Sequence, residues 1–152
     1  MSAQEQSDEE LARACAAIML ERDAASRRLG MVIEDARPGW ARVAMMITDE
    51  MVNGHAIAHG GVTFTLADSA FAFACNSRNE PNVALQASIS YLGAVHLGDQ
   101  LVAEAQEESS SKGRTAVYDV RVSRNGGELV ALFRGVSYRI KGTVLEGAGA
   151  AR

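Results

Sequence analysis

With 152 residues, 47% of them hydrophobic, the chain is long enough for one domain with a proper core, too short for two and too apolar for disorder. Its 15 Lys and Arg against 19 Asp and Glu give a net charge of −4, and no basic block stands out, which argues against a nucleic-acid partner. No apolar run approaches the ~20 residues that cross a bilayer, and the acidic start, Met1 to Leu11, is no signal peptide. A cytoplasmic protein without a membrane partner is expected.

Residues 1–6 are expected to form a flexible leader. Ser7-Asp8-Glu9-Glu10 fits a capping box, with Ser7 as N-cap and Glu10 three positions on. A helix is predicted from there to about Leu29-Gly30, with Leu11, Cys15, Ile18 and the Arg22 stem inward. Met31 to Ala36, a Pro38-Gly39 turn and Trp40 to Ile47 then read as a hairpin, because apolar residues begin to alternate. A central helix is predicted over roughly Gly61 to Asn76, apolar nearly all round and therefore wrapped by other structure. Four strands follow, at Ala84 to Leu92, Gln100 to Glu107, Arg114 to Arg124 and Glu128 to Ile140, with Gly135 marking a bulge or bend. The Gly- and Ala-rich stretch 143–152 is expected to be flexible, leaving 7–142 as a single domain. Long strands joined by short loops predict an α+β fold in which a curved antiparallel sheet wraps one helix. Such a sheet leaves edges that need cover, and pairing between copies supplies it, so a dimer or higher assembly is expected.

The chemistry concentrates at one junction. Asn53-Gly54-His55-Ala56-Ile57-Ala58-His59-Gly60-Gly61 runs directly into the central helix, whose one carboxylate is Asp68. Gly60 and Gly61 leave backbone N–H groups uncovered at the helix end that favours negative charge. An acid in an apolar helix takes up a proton more readily than usual, as a general base or nucleophile requires. Together they suit acyl transfer, the Gly60 N–H holding the oxyanion of a tetrahedral intermediate. The plain alternatives are an Asp68 bonded to Thr65, Ser69 or a backbone amide, and glycines that merely allow close packing. Gly60 and Asp68 are eight residues apart, roughly 12 Å at about 1.5 Å per residue. One small carbonyl cannot touch both in one copy, so if both act, they come from different subunits.

The neighbouring residues carry two readings each. His59 is expected to bond the loop or the substrate and hold the Gly60 amide; Asn53 serves a turn or contacts substrate. His55, His59 and His96 lack the companion ligands of a metal site, so no metal and no cofactor are expected. Cys15 and Cys75 read as buried, reduced thiols. Lys112-Gly113-Arg114 is either a solvated hairpin end or a phosphate contact at a pocket mouth. Phe64, Phe71 and Tyr91 are core aromatics or line an aromatic acyl pocket.

The pattern N-G-H-x-x-x-H-G-G-x-x-F-x-L-A-D, here Asn53 to Asp68, resembles the signature of the hotdog-fold acyl-CoA thioesterases of the phenylacetate-degradation (PaaI) type. The similarity continues through Ala72 to Ser77 and Ala131 to Gly135, and covers the chain from the N-terminal helix to about Val144. It implies a hotdog fold with an extra N-terminal helix, and hydrolysis of phenylacetyl- or hydroxyphenylacetyl-CoA to free acid and CoA. It also implies that Asp68 is base or nucleophile, that the Gly60 amide polarises the carbonyl, and that His59 and Asn53 support them. Gly61, Phe64, Thr65, Ser69, Tyr91, Lys112, Gly113 and Arg114 are the substrate-binding candidates. A composite site across a dimer, and a tetramer built as a dimer of dimers, are implied as well. One departure stands out: Ala72 occupies the position where some relatives carry a water-placing hydroxyl, and Thr65 or Ser69 would have to substitute. The rival readings are a hotdog enoyl-thioester hydratase or dehydratase, which needs a His and an acid at Cα and Cβ, and a non-catalytic acyl-CoA-binding module.

Overall fold

The computed structural model describes residues 1–110 and 113–148. The first helix, α1, spans Ala3–Arg22 and begins earlier than the Ser7 box implies. Ser2 is the N-cap: its hydroxyl accepts from the Glu5 amide, and the Glu5 carboxylate accepts from the Ser2 amide, so the capping box lies five residues upstream. Both Ser-x-x-Glu patterns fit the sequence, and the upstream one adds a turn of helix. The helix also stops before Leu29. Asp23 leaves helical geometry and caps a separate short helix, α2 (Ala24–Arg28), by accepting from the Ser26 amide at 2.9 Å. Ala12, Cys15 and Ala16 form the buried face of α1.

Strands β1 (Val32–Arg37) and β2 (Trp40–Met46) form the predicted hairpin, and the helix α3 covers Gly60–Cys75. They are followed by β3 (Asn82–Tyr91), β4 (Gln100–Ser110), β5 (Thr115–Arg124) and β6 (Glu128–Arg139). The six strands make one antiparallel sheet in the order β1-β2-β4-β5-β6-β3. Its inner face holds α3: Leu66, Phe71 and Phe73 pack with Val43, Met45, Leu101, Val120, Val122 and Phe133, all fully buried. Each such side chain contributes about 1.5–3 kcal/mol of transfer free energy. Phe133 is the hub, with ring centroids 5.3 Å from Phe64 and 5.8 Å from Phe71.

Gly135 has a different reason from the expected bulge. It pairs in register with Ala87 on one side and Tyr118 on the other. A Cβ there would lie 2.8 Å from the Phe71 ring, so the glycine exists to let that ring approach the sheet. Gly135→Ala should cost about 1–3 kcal/mol by overpacking, read as a lower denaturation midpoint with an unchanged m-value.

The chain after β6 is tied down further than expected. Gly142–Thr143 (β7) pairs with Gly147–Ala148 (β8), Val144 is buried, and its carbonyl accepts from the Arg22 guanidinium at 3.2 Å. Residues 149–152, the rest of the expected tail, lie outside the described residues. No described helix is long and apolar enough to cross a membrane.

Two features are left uncovered in the protomer. Strand β1 is backed by α1, whereas β3, the other edge, exposes Val83, Leu85 and Tyr91. Helix α3 is not wrapped all round as its composition predicts. Gly61, Thr65, Asp68 and Ala72, one stripe at helical spacing, keep partial access to solvent.

Candidate active site

The loop before α3 is built by its own polar groups. Asn53 Oδ1 accepts from the amides of His55 (2.9 Å) and Ile57 (3.2 Å), which is the turn duty weighed for it. Ala56 sits in the left-handed region at φ 58°, so the turn stores some strain. The Ala58 amide then bonds the Val95 carbonyl (2.8 Å) and the His59 amide the Met51 carbonyl (3.0 Å). These bonds deliver His59 to the N-cap position of α3 in an extended conformation.

No side chain among the described residues caps α3. The His59 imidazole is exposed and makes no hydrogen bond among the described residues; its backbone, not its ring, positions Gly60. The first-turn amides of Gly60 and Gly61 have no carbonyl ahead of them in the helix and point out of its positive end. Tyr91 secures this end: its hydroxyl donates to the Gly60 carbonyl at 2.8 Å. A Cβ on Gly60 would lie 2.9 Å from the Tyr91 ring and hydroxyl, so a side chain there would push the half-exposed Tyr91 off its bond to the Gly60 carbonyl. A cavity of about 490 Å³ opens beside this end, lined by Ala58, Gly60, Thr63, Tyr91, Leu92 and Val130 among others. An oxyanion-type donor thus borders a largely apolar hollow.

Asp68 lies two turns further along α3, half-buried. Neither proposed hydroxyl partner bonds it. The Thr65 hydroxyl turns back to the Gly61 carbonyl at 2.8 Å, and Ser69 pairs with the buried Ser26 hydroxyl at 2.8 Å. Among the described residues the Asp68 carboxylate accepts no hydrogen bond. Burial, and then the charge of Asp23, raise its pKa above the usual carboxylate value. Burial pushes the Cys75 thiol up to about 12, with help from Asp68, so that thiol stays protonated and is no rival nucleophile.

The remaining predicted residues divide. Phe64 meets Phe133 edge-on and Phe71 sits in the core. Gly113 and Arg114 line a second cavity of about 330 Å³ at the other end of α3, with Cys75, Arg78 and Arg139; Lys112 lies outside the described residues. Within one protomer, Gly60 and Asp68 stay about 12 Å apart along the helix, so the structure does not join them. His96 sits 3.5 Å from the Arg124 guanidinium, and no described group of three His, Cys, Asp or Glu could hold a metal ion. Sequence reasoning missed Asp23 and Ser26 beside the site. The Asp-x-x-Ser pattern was visible, but it lay inside a stretch read as continuous helix.

The thioesterase superfamily model matches residues 55–131, from the loop before α3 through α3, β3, β4 and β5 to the start of β6. This chain belongs to the thioesterase superfamily. Within it the chain falls among the PaaI-type members with the hotdog fold. It is 44% identical over 126 residues to the acyl-coenzyme A thioesterase PaaI of Escherichia coli, covering 83% of this chain and 89% of that one. The structure of the E. coli PaaI protein from the phenylacetic acid degradation operon superposes with a TM-score of 0.86 at 43% identity, over 89% of this chain and 97% of that one. A Streptococcus mutans protein solved bound to acetyl CoA aligns at TM-score 0.69 and 28% identity, over 72% of this chain and 88% of that one.

Proposed function

We propose that this protein hydrolyses acyl-CoA thioesters with an aromatic acyl group, phenylacetyl- or hydroxyphenylacetyl-CoA in type. The observation that carries the reading is Asp68, a half-buried carboxylate of raised pKa with no hydrogen-bond partner among the described residues. A group held that way is available to take a proton. The reaction class comes from the family. The aromatic preference rests on the similarity to PaaI and on the apolar cavity beside Gly60.

In this mechanism the Gly60 amide and the positive end of α3 draw charge onto the thioester oxygen. Asp68 takes a proton from water as the water oxygen bonds the carbonyl carbon, or its own oxygen attacks, the C–S bond breaks to release CoA thiolate, and water then opens the resulting anhydride. In the water route, collapse of the tetrahedral intermediate breaks the C–S bond, and the departing thiolate recovers the proton from Asp68. CoA thiolate is a good leaving group, so no further acid is needed. The Ser69 hydroxyl is buried against Ser26, whereas Thr65 donates to the Gly61 carbonyl and keeps a lone pair on the open stripe with Asp68, so Thr65 is the one of the two placed to hold water in place of the hydroxyl absent at Ala72. Arg114 in this cavity suits the CoA phosphates, whereas Arg78 and Arg139 beside it are paired with Glu107 and Glu80; Lys112 is assigned the phosphate role from its sequence position.

The reading requires two copies. The open edge of β3 and the open stripe of α3 are both satisfied if β3 pairs antiparallel with β3 of a second copy, which sets the two α3 helices side by side and antiparallel. Gly60 of each copy meets Asp68 of the other when the two-fold axis passes midway between them, at the level of Phe64. Two such dimers would make the tetramer.

A panel of acyl-CoAs assayed for thiol release tests the substrate class. Aromatic acyl-CoAs should be cleaved at least ten times faster, in kcat/KM, than acetyl-CoA, a difference of about 1.4 kcal/mol in the barrier. Water addition to an enoyl-CoA without thiol release would instead identify a hydratase.

A further inference from the structure

Asp23 ends α1 and caps α2, and its carboxylate does more than cap. Oδ1 accepts from the Ser26 amide at 2.9 Å, and Oδ2 accepts from the Ser26 hydroxyl at 2.6 Å. The Ser26 hydroxyl lies 2.8 Å from that of Ser69, the residue that follows Asp68 on α3. Ser26 is 1% exposed and Ser69 7%, so the hydroxyl pair is interior, while Asp23 sits at its half-buried outer end; separating the serines would leave a buried polar atom unpaired. We propose that Asp23 is a positioning residue for Asp68: the Ser26–Ser69 hydroxyl pair clamps the start of α2 to α3 and holds a second carboxylate beside the turn that bears Asp68.

The surroundings leave that carboxylate unopposed. Inward from the sheet, α3 meets Ala41, Val43 and Met45 of β2, Leu101, Ala103 and Ala105 of β4, and Val120 and Val122 of β5, none of them ionisable. Ala36 of β1 and Phe133 of β6 are equally apolar, and β3 carries Tyr91 as its one titratable group, bonded to Gly60. Tyr118 of β5 spends its hydroxyl on Glu107 at the far end of α3. From α1, the Cys15 thiol faces Asn79 and the Arg22 guanidinium faces the Val144 carbonyl. On α3 itself Cys75 stays neutral. Arg27 and Arg28 of α2 are exposed, so within the protomer, among the described residues, Asp23 is the charged group that acts on Asp68, in the direction that keeps the proton. Its like charge makes Asp68 a stronger base at the cost of a higher pH at which that base becomes free.

This inference rests on the role proposed for Asp68, and its test separates the two. The pH dependence of kcat/KM for thiol release is compared in wild type and Asp23→Asn, which keeps a good N-cap but loses the charge. The carboxyl of Asp68 is titrated in the same proteins by 13C NMR of aspartate-labelled material, assigned with Asp68→Asn. Removing the like charge should move both the acidic limb of the rate profile and the Asp68 midpoint to lower pH. Asp23→Ser, a second neutral cap, should repeat the shift and serves if Asp23→Asn does not fold. A limb and a midpoint both unmoved in a folded neutral variant would overturn the proposal and leave the serine pair as packing alone. A midpoint that falls while the limb stays put would uphold the placement of Asp23 and reject Asp68 as the base.

Discussion

Asp68→Asn is expected to lower kcat/KM for aromatic thioesters by a factor of about 10²–10⁴, the range a positioned general base contributes. Fold and assembly should survive, because the amide is isosteric and no described residue donates to the carboxylate that would be lost. Stability supplies an independent reading of the same group. The folded-state pKa of Asp68 lies above its unfolded value, so between the two the native state binds the extra proton and stability falls as pH rises through that window. The charged carboxylate is thus a standing cost at neutral pH, which the amide removes. Asp68→Asn should melt above wild type at pH 7, and the gap should close as pH drops towards the unfolded carboxylate pKa. An active Asp68→Asn would end the catalytic assignment, and an unchanged melting temperature at pH 7 would contradict the burial argument. The pairing of lost activity with gained stability is what a functional group held in an unfavourable place produces.

Activity should return when two dead variants are combined. In Gly60→Ala the new methyl group drives the Tyr91 ring away and breaks its bond to the Gly60 carbonyl, so the head of α3 loses its anchor and turnover should fall by up to about 10²–10³-fold, as for loss of one oxyanion donor. A dimer of one Asp68→Asn and one Gly60→Ala protomer then contains one site with both lesions and one with neither, if each site takes Gly60 from one copy and Asp68 from the other. Co-expressed, differently tagged subunits purified as the mixed dimer should recover half the wild-type activity per dimer. Sites confined to a single protomer would leave the mixed dimer as inactive as its parents. The contrast is about fifty-fold even when each parent loses only 10²-fold, and it tests the two-copy arrangement without needing to know which acyl group is preferred.

Much of this was legible before any coordinates. The change from helical to alternating hydrophobic period at Met31, the apolar segment after Gly60-Gly61 and the four later strands all appear within a few residues of their predicted places. The expectation of a second copy, if Gly60 and Asp68 both act, came from counting the residues between them and multiplying by the helical rise. What misled was local ambiguity. Ser7 and Ser2 offer the same capping pattern, and the choice between them depends on how far α1 can extend. Asp23 sits among good helix formers, so the break it makes is visible only once Ser26 is seen facing α3.

The sequence by itself determined the type and order of the elements, the exposed amides at the head of α3 and the lone acid along it, because periodicity, rise and capping chemistry depend on near neighbours in the chain. The tertiary structure alone decided that β3 is the unprotected edge, that Gly135 makes room for Phe71, and that Thr65 and Ser69 spend their hydroxyls elsewhere and leave Asp68 without a hydrogen bond among the described residues. Those outcomes depend on which distant groups are brought within hydrogen-bonding or van der Waals reach, and no local pattern encodes a partner forty residues away.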